Sequence, residues 1–420
     1  MKMKKIILLS AVTSIVVMAG AYKIPEQSVN SMALGGAYIA HTTDADTAYF
    51  NPANMSFLDP EVNYFEAGIT LAHLPENSYD GVQVFSGGTV LPATFSSGKS
   101  ETENLPIPYT HFVMATDSRW RFGMSTAVPA GLTKRWKTPV QKLFAEEFTL
   151  KNVELNPVFA YKVSDNFSVG GGIRMVYSEG KVYSDGNLIP GGAAPIKREM
   201  EGDTIEWGYN VALAWKPTSD VAVGVTYRSK IDLDEEGEAN LYLNGIGRQF
   251  KANVSVPIPA SLNIGISKTW DEALTLEFVY ERTFWSAYKT LDFEYDQPIQ
   301  PALDGYFNAP KPKEWEDTNT FRLGLTYQYN DKLTLMAAYS YDETPVPDKH
   351  ISYELPDSDA HVFSAGFKYK YSESLSFGAA VLYDKKKSRT IKAGDNVNGI
   401  IGEFSDGGAV LMTAGVSYRF

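Results

Sequence analysis

From about residue 62 to the end, apolar and small or polar residues alternate in stretches of roughly 10–18 residues. In one stretch Phe321, Leu323, Leu325, Tyr327 and Tyr329 alternate with Arg322, Gly324, Thr326 and Gln328, and Leu333, Leu335, Ala337, Tyr339 and Tyr341 repeat the pattern. Trp207 to Trp215 and Phe363 to Tyr371 do the same. A period of two sends successive side chains to opposite faces of a strand. A single such strand also suits a soluble sandwich, but about fourteen of them, longer than globular strands, suit tilted membrane crossings. Their connections also alternate. Tight turns centre on Asp117-Ser118-Arg119, Ser164-Asp165-Asn166, Pro217-Thr218-Ser219, Trp270-Asp271-Glu272, Asn330-Asp331 and Ser372-Glu373. Long polar stretches lie near 74–104, 133–148, 185–202, 234–247, 294–317, 343–359 and 385–405. One rim of tight turns and one of long loops is the layout of an outer-membrane barrel. The expected fold is therefore all-β: a transmembrane antiparallel β-barrel of about 14 strands over residues 61–420. It must close, because hydrocarbon satisfies no unpaired strand edge.

The compartment follows: the outer membrane of a Gram-negative bacterium, with outer-membrane lipid and lipopolysaccharide as surroundings. Lys2, Lys4 and Lys5, the apolar run Ile6 to Met18 and Ala19-Gly20-Ala21 form a secretory signal over residues 1–21. Ending on Phe420, the last strand resembles the address read by the outer-membrane assembly machinery. The chain has no cysteine, so disulfides, thiolate metal sites and thiol nucleophiles are excluded. A net charge of -12 argues against nucleic acid, whose phosphates require basic patches. A monomer without cofactor or metal is expected; Asp44 and Asp46 read as turn caps rather than calcium ligands.

Residues 22–60 do not alternate. Ser31 to Ala40 is rich in small residues and leads through Thr43-Asp44-Ala45-Asp46 to Tyr49-Phe50-Asn51-Pro52-Ala53-Asn54. The segment is too short for a domain and too apolar for a free tail, and a barrel of this size has a lumen to fill, so a plug is expected. With Asn51-Pro52-Ala53, it resembles the hatch of the FadL family of outer-membrane transporters for long-chain fatty acids and related hydrophobic compounds. The resemblance continues at Trp207-Gly208-Tyr209-Asn210, Thr226-Tyr227-Arg228-Ser229, Asp342-Glu343-Thr344-Pro345-Val346-Pro347 and Leu355-Pro356-Asp357. It implies a fourteen-stranded barrel, an N-terminal hatch, passive uptake of a hydrophobic small molecule and release sideways through the wall.

An apolar solute gains little from a watery pore. A sideways exit needs a broken ladder, and Val128-Pro129-Ala130-Gly131 in the third strand offers one: proline lacks a donor and glycine permits a bend. Pro106 and Pro108 on the hairpin partner fall at the same height. The resemblance places the family's kink glycine at Gly131. On the outer rim, Trp136, Val140, Leu143, Phe144 and Phe148 are spaced as an apolar helix face that could dock ligand first. The family's fatty-acid transporters set basic residues high on strands five and nine; aligned, this chain has Ser184 and Asp292 there, with Lys289 nearby and inward by parity. The inward cations Arg174, Arg228, Arg322, Lys368 and Lys370 are expected to pair with lumen carboxylates such as Glu277 and Glu281. Two other ligand readings stay open: neutral aromatic hydrocarbons of the toluene type, or a general diffusion porin. Catalysis is not expected, since no nucleophile motif accompanies His41, His73, His111, His350 or His361.

Overall fold

The computed structural model describes residues 21–85, 88–187, 189 and 195–420; the basic start and apolar run read as a signal lie outside the described residues. Fourteen strands close the wall: β1 (Tyr64–Leu74), β2 (Glu103–Val113), β3 (Trp120–Ala127 and Gly131–Arg135), β4 (Glu147–Lys162), β5 (Phe167–Asp185), β6 (Ile196–Trp215) and β7 (Val221–Arg228 and Ile231–Leu243). The wall continues with β8 (Ile246–Ile258 and Ser261–Trp270), β9 (Leu274–Thr283, resumed at Phe293–Tyr295), β10 (Thr318–Asn330), β11 (Leu333–Asp342), β12 (Ala360–Lys370), β13 (Leu375–Lys386) and β14 (Gly408–Arg419). Neighbours are antiparallel, and β1 pairs with β14 from Tyr64↔Arg419 to His73↔Val410. The seam is tied by Asn63 and Phe420, whose backbone amides donate to each other's carbonyls at 2.9 and 3.1 Å.

Hydrocarbon, not water, is the outer solvent, so the apolar face points out and the polar face in. On β6, Trp207 and Tyr209 are 61% and 53% exposed while Asn210 is 3% exposed. Parts of two expected loops are instead strand. β5 runs to Asp185 and β6 begins at Ile196, and the 234–247 stretch is a hairpin turning on Asn244 and Gly245 at φ 52 and 78°. Asn-Gly is the strongest short hairpin signal, but the acidic residues before it break the apolar alternation that marks the other strands. Above Ile205 the outward residues of β6 become Asp203, Glu201 and Glu199, so this side of the wall rises past its greasy band. The remaining long loops fold over the mouth as a small sheet, including Ser78–Val84 and Ile400–Ser405, with helices α3 (Ala93–Ser96), α4 (Pro139–Ala145) and α5 (Pro301–Phe307).

Residues 22–57 are mostly buried and meet the inward side chains of the wall. They form α1 (Val29–Ala33), capped by Ser28, α2 (Thr47–Phe50) and a 3-10 turn over Pro52–Phe57. Short turns leave backbone groups unpaired, and the wall supplies the partners. Arg322 Nη1 and Ser340 Oγ donate to the Gly35 carbonyl at 2.9 and 3.0 Å, and Ser364 Oγ donates to the Ala33 carbonyl at 2.9 Å. Glu277 accepts from the backbone amides of Ile39, Ala40 and His41 at 2.6, 2.7 and 3.0 Å. This corrects one expectation: Glu277 neutralises no lumen cation but holds a turn of the N-terminal segment.

The other cations do find carboxylates. Arg322 Nη2 meets Glu281 at 2.8 Å, Lys368 meets Asp44 at 2.6 Å and Arg174 meets Glu154 at 2.9 Å. Lys23 also bonds Glu281, and Arg228 also bonds Glu154. Lys370 pairs at 2.6 Å with Glu373 in a turn, outside the lumen network. Replacing Glu277 with Leu should unseat the Ile39–His41 turn while the barrel stays closed, at a cost of about 4.5–9 kcal/mol for three lost hydrogen bonds to a charged group. Amide hydrogen exchange should speed up at residues 39–41 and stay unchanged in β9 and β10.

Candidate functional site: a broken seam and an outer cavity

The seam between β2 and β3 holds only four pairs, Thr110↔Thr126 to Val113↔Gly123. Outward of Thr110, β2 keeps its partner β1 through to Leu74↔Glu103, so the break lies on the β3 side. On its other edge β3 pairs with β4 as Ala127↔Glu154 and again as Gly131↔Lys151. Four steps along β3 thus face three along β4: a bulge of one residue, which bends β3 inward. Val128, Pro129 and Ala130 are buried in that bend. Gly131 is not among the residues with positive φ, so the extra residue, rather than a left-handed glycine, makes the bend. Pro106, Pro108 and Pro129 have no N–H to offer across the seam.

The N-terminal segment supplies what the bend loses. Ile24 N donates to the Pro129 carbonyl at 2.9 Å, and Gly131 N donates to the Tyr22 carbonyl at 2.8 Å. The Gln27 amide clasps Val128, donating to its carbonyl at 2.7 Å and accepting from its N–H at 3.0 Å. Tyr22 stands among Trp285, Tyr288 and Trp315, with ring centroids 4.8, 6.3 and 5.7 Å away. Farther out, Arg135 spans the seam with a two-pronged bond to Glu103 at 2.8 and 2.6 Å, and Ser100 bridges Trp136.

Under the outer loops lies a cavity of about 750 Å³. Leu143, Phe144 and Phe148 of the expected docking stripe line it, whereas Trp136 and Val140 are buried away from it. Trp136 Nε1 donates to the Tyr353 carbonyl at 2.8 Å and fixes that loop. Leu291, Phe293 and α5 complete the apolar lining. Phe293, Phe307, Phe148, Leu143, Leu132, Ala130 and Tyr22 belong to one contiguous apolar cluster, which joins the cavity to the bend.

The remaining sequence candidates separate. Asn51 accepts from Ala53 N at 3.1 Å and donates to the Ile39 and Leu213 carbonyls at 2.9 and 3.2 Å. Pro52 starts the 3-10 turn, and Ala53 packs so close to Gly170 that a Cβ there would meet its backbone nitrogen at 2.8 Å. Asn51, Pro52 and Ala53 therefore anchor the segment and do not line the cavity. Lys289 is exposed rather than inward, because a 3-10 turn at Trp285–Ala287 interrupts the strand and resets the parity count. Asp292 is exposed as well. Ser184 is buried, and its register partner on β6 is Arg198.

Arg198 was missed because its stretch reads as a Gly-Pro loop. Its guanidinium lines the cavity, 1% exposed, with Phe293 and Phe307 rings centred 4.3 and 5.0 Å away. Beside it, burial and then Arg198 itself push the Lys311 ammonium down to about 7. Burial would raise Glu354, but the bonded Lys313 ammonium overrides it and holds the carboxyl at about 2. Among the described residues no cluster of acidic or histidine side chains is disposed to hold a metal ion.

These features define an outer-membrane barrel with an apolar vestibule beside a broken seam. The chain belongs to the family described as "Outer membrane protein transport protein (OMPP1/FadL/TodX)", whose profile matches residues 10–420. It is 24% identical over 370 residues to the long-chain fatty acid transport protein of Escherichia coli O6:H1, covering 79% of each chain. A FadL homologue from Pseudomonas aeruginosa shares the fold with a TM-score of 0.74 at 22% identity, covering 95% of this chain and 99% of that one. The Pseudomonas putida toluene transporter TodX shares it with a TM-score of 0.70 at 19% identity, covering 97% and 99%.

The Glu354 carboxyl sits below its ordinary 4.5, so its ion pair contributes stability above that pH and loses it as pH falls toward about 2. Acidification through this window should loosen the 343–359 loop over the cavity. Limited proteolysis across a pH series should show cleavage there before any cleavage in β11 or β12.

Proposed function

We propose that the chain takes up long-chain fatty acids or similar hydrophobic small molecules passively and releases them sideways into the outer membrane. Residues 1–21 act as a secretory signal, and residues 22–60 act as a hatch that blocks a straight aqueous path. Ligand partitions into the outer cavity, whose volume falls within the roughly 300–1,000 Å³ usual for small-molecule sites. It then moves along the apolar cluster to the bend at Val128–Gly131 and leaves between β2 and β3. The observation that carries this reading is the four-pair seam, Thr110↔Thr126 to Val113↔Gly123, where a closed barrel otherwise keeps its ladder.

Supporting it, the backbone groups of the bend are satisfied from within by residues 22–27, so the opening needs no lipid-exposed unpaired amide. A diffusion porin fits less well, because the lumen is occupied by buried, ion-paired chain. The driving force is the affinity of an apolar solute for lipid over water, which requires no energy source.

Deleting Pro129 removes the extra residue and lets β3 run in register with β4. Uptake of a radiolabelled fatty acid by cells carrying this variant should fall by about tenfold or more, as expected when a route rather than a contact is lost. The folded barrel should still show its shifted migration in unheated gels. Undiminished uptake would contradict the sideways route.

A further inference from the structure

The seam between β6 and β7 is also interrupted, away from the bend in β3. Its pairs run outward from Trp215↔Val223 to Asn210↔Arg228, stop, and resume only at Asp203↔Glu236. The six residues Thr204 to Tyr209 of β6 thus face the seven residues Ser229 to Glu235 of β7 without a ladder. A bulge accounts for the odd residue but not for a gap of this width. The flanking ladders hold. β5 and β6 stay paired from Lys197↔Asp185 to Trp215↔Phe167, and β7 and β8 keep one register across the gap, Arg228↔Ser261 and then Ile231↔Ile258. At the periplasmic end of the gap the freed backbone groups are provided for. Tyr209 N donates to Ser229 Oγ and Ser229 N to the Tyr209 carbonyl, both at 2.9 Å, and Arg174 Nη1 donates to the Ser229 carbonyl at 2.7 Å.

Outside, Ile205, Trp207 and Tyr209 of β6 are exposed on the lipid face, while β7 shows Lys230 and Asp232, paired at 2.6 Å. The gap therefore lies where hydrocarbon gives way to headgroups, and water can meet the rest of its backbone. Inside, Ile231 and Leu233 are buried and belong to the same contiguous apolar cluster as Ala130 and Phe148. Side chains close the gap. Gly208 contributes none, and a Cβ there would meet Ile231 Cγ1 and Ser229 Oγ, both at 2.7 Å. A side chain changes rotamer without unpairing a strand, so such a closure opens at little cost to the wall.

We infer that the wall has a second side opening, between β6 and β7 at Thr204–Tyr209, closed by Ile231, through which an apolar solute passes between the interior cluster and the outer leaflet. This rests on the uptake reading and adds a route separate from the β2–β3 seam. In the resting chain Ile231 keeps it the minor route.

The chain has no cysteine, so an introduced pair forms the only disulfide. Continued by two residues, the Asp203↔Glu236 register sets Ile205 opposite Asp234, and Ile205→Cys with Asp234→Cys ties the gap shut on oxidation. Uptake of radiolabelled palmitate is measured in cells carrying the full chain with Pro129 deleted, where the β3 route is closed. Oxidising the cysteine pair should bring the residual uptake down to that of cells without the protein, and reduction should restore it. Adding Ile231→Ala, with the cysteines reduced, should raise the residual uptake by about fivefold or more, and oxidation should remove the gain. The cysteine arm stands even if Ile231→Ala fails to fold. Residual uptake indifferent to oxidation, or a folded Ile231→Ala variant without gain, would overturn the second opening and leave the β3 route standing. If deletion of Pro129 leaves uptake undiminished and oxidation then abolishes it, the β3 route fails and the second opening holds. Uptake undiminished by both would overturn the two together.

Discussion

The hydrogen-bond requirement of a backbone placed in hydrocarbon governs this molecule. Every wall strand must pair on both edges, because lipid offers no substitute for a missing partner. β1 therefore joins β14 and the cylinder closes. At one place the rule is met differently. Where β3 leaves β2, the polar groups of Val128, Pro129 and Gly131 turn inward and are taken up by Tyr22, Ile24 and Gln27. The wall can have a broken seam there because the chain's own N-terminal segment replaces the missing ladder. The segment and the break are one structural solution, and altering either disturbs the other.

The same accounting runs through the interior. Ion pairs such as Lys368–Asp44 and Lys23–Glu281 hold a segment with little regular structure of its own against a polar inner wall, and Arg174–Glu154 and Arg322–Glu281 join neighbouring charges of that wall. In these pairs the attraction offsets the loss of water. Glu277 shows that a carboxylate can be satisfied by three backbone amides instead of a cation. Arg198 is held differently: its neighbours are aromatic rings and a serine hydroxyl, at the edge of the outer cavity.

Much of this could be read along the chain. The tight turns at 117–119, 164–166, 217–219, 270–272, 330–331 and 372–373 all separate wall strands. The prolines at 106, 108 and 129 lie where the seam is broken. The apolar spacing of Leu143, Phe144 and Phe148 led to the cavity wall, while Trp136 and Val140, drawn from the same pattern, serve packing. Errors arose where parity was counted across an interruption. Lys289 was read as inward because the turn at Trp285–Ala287 leaves no alternation signal. Residues 196–202 fall within the expected loop at 185–202 because Gly-Pro composition masks the start of β6, and Arg198 is lost with them.

Alternation along the chain determined by itself that strands form, how many there are, which face meets lipid and which rim bears the loops. Those are consequences of a two-residue period acting between two solvents, and they need no knowledge of distant contacts. Tertiary structure alone decided which cations are neutralised, which residues shape the cavity and what satisfies the bend in β3. Such outcomes depend on partners far apart in sequence, as with Gln27 and Val128 or Arg198 and Phe307. Electrostatic and hydrogen-bond balance is a property of neighbourhoods, and a neighbourhood exists only once the barrel has closed around it.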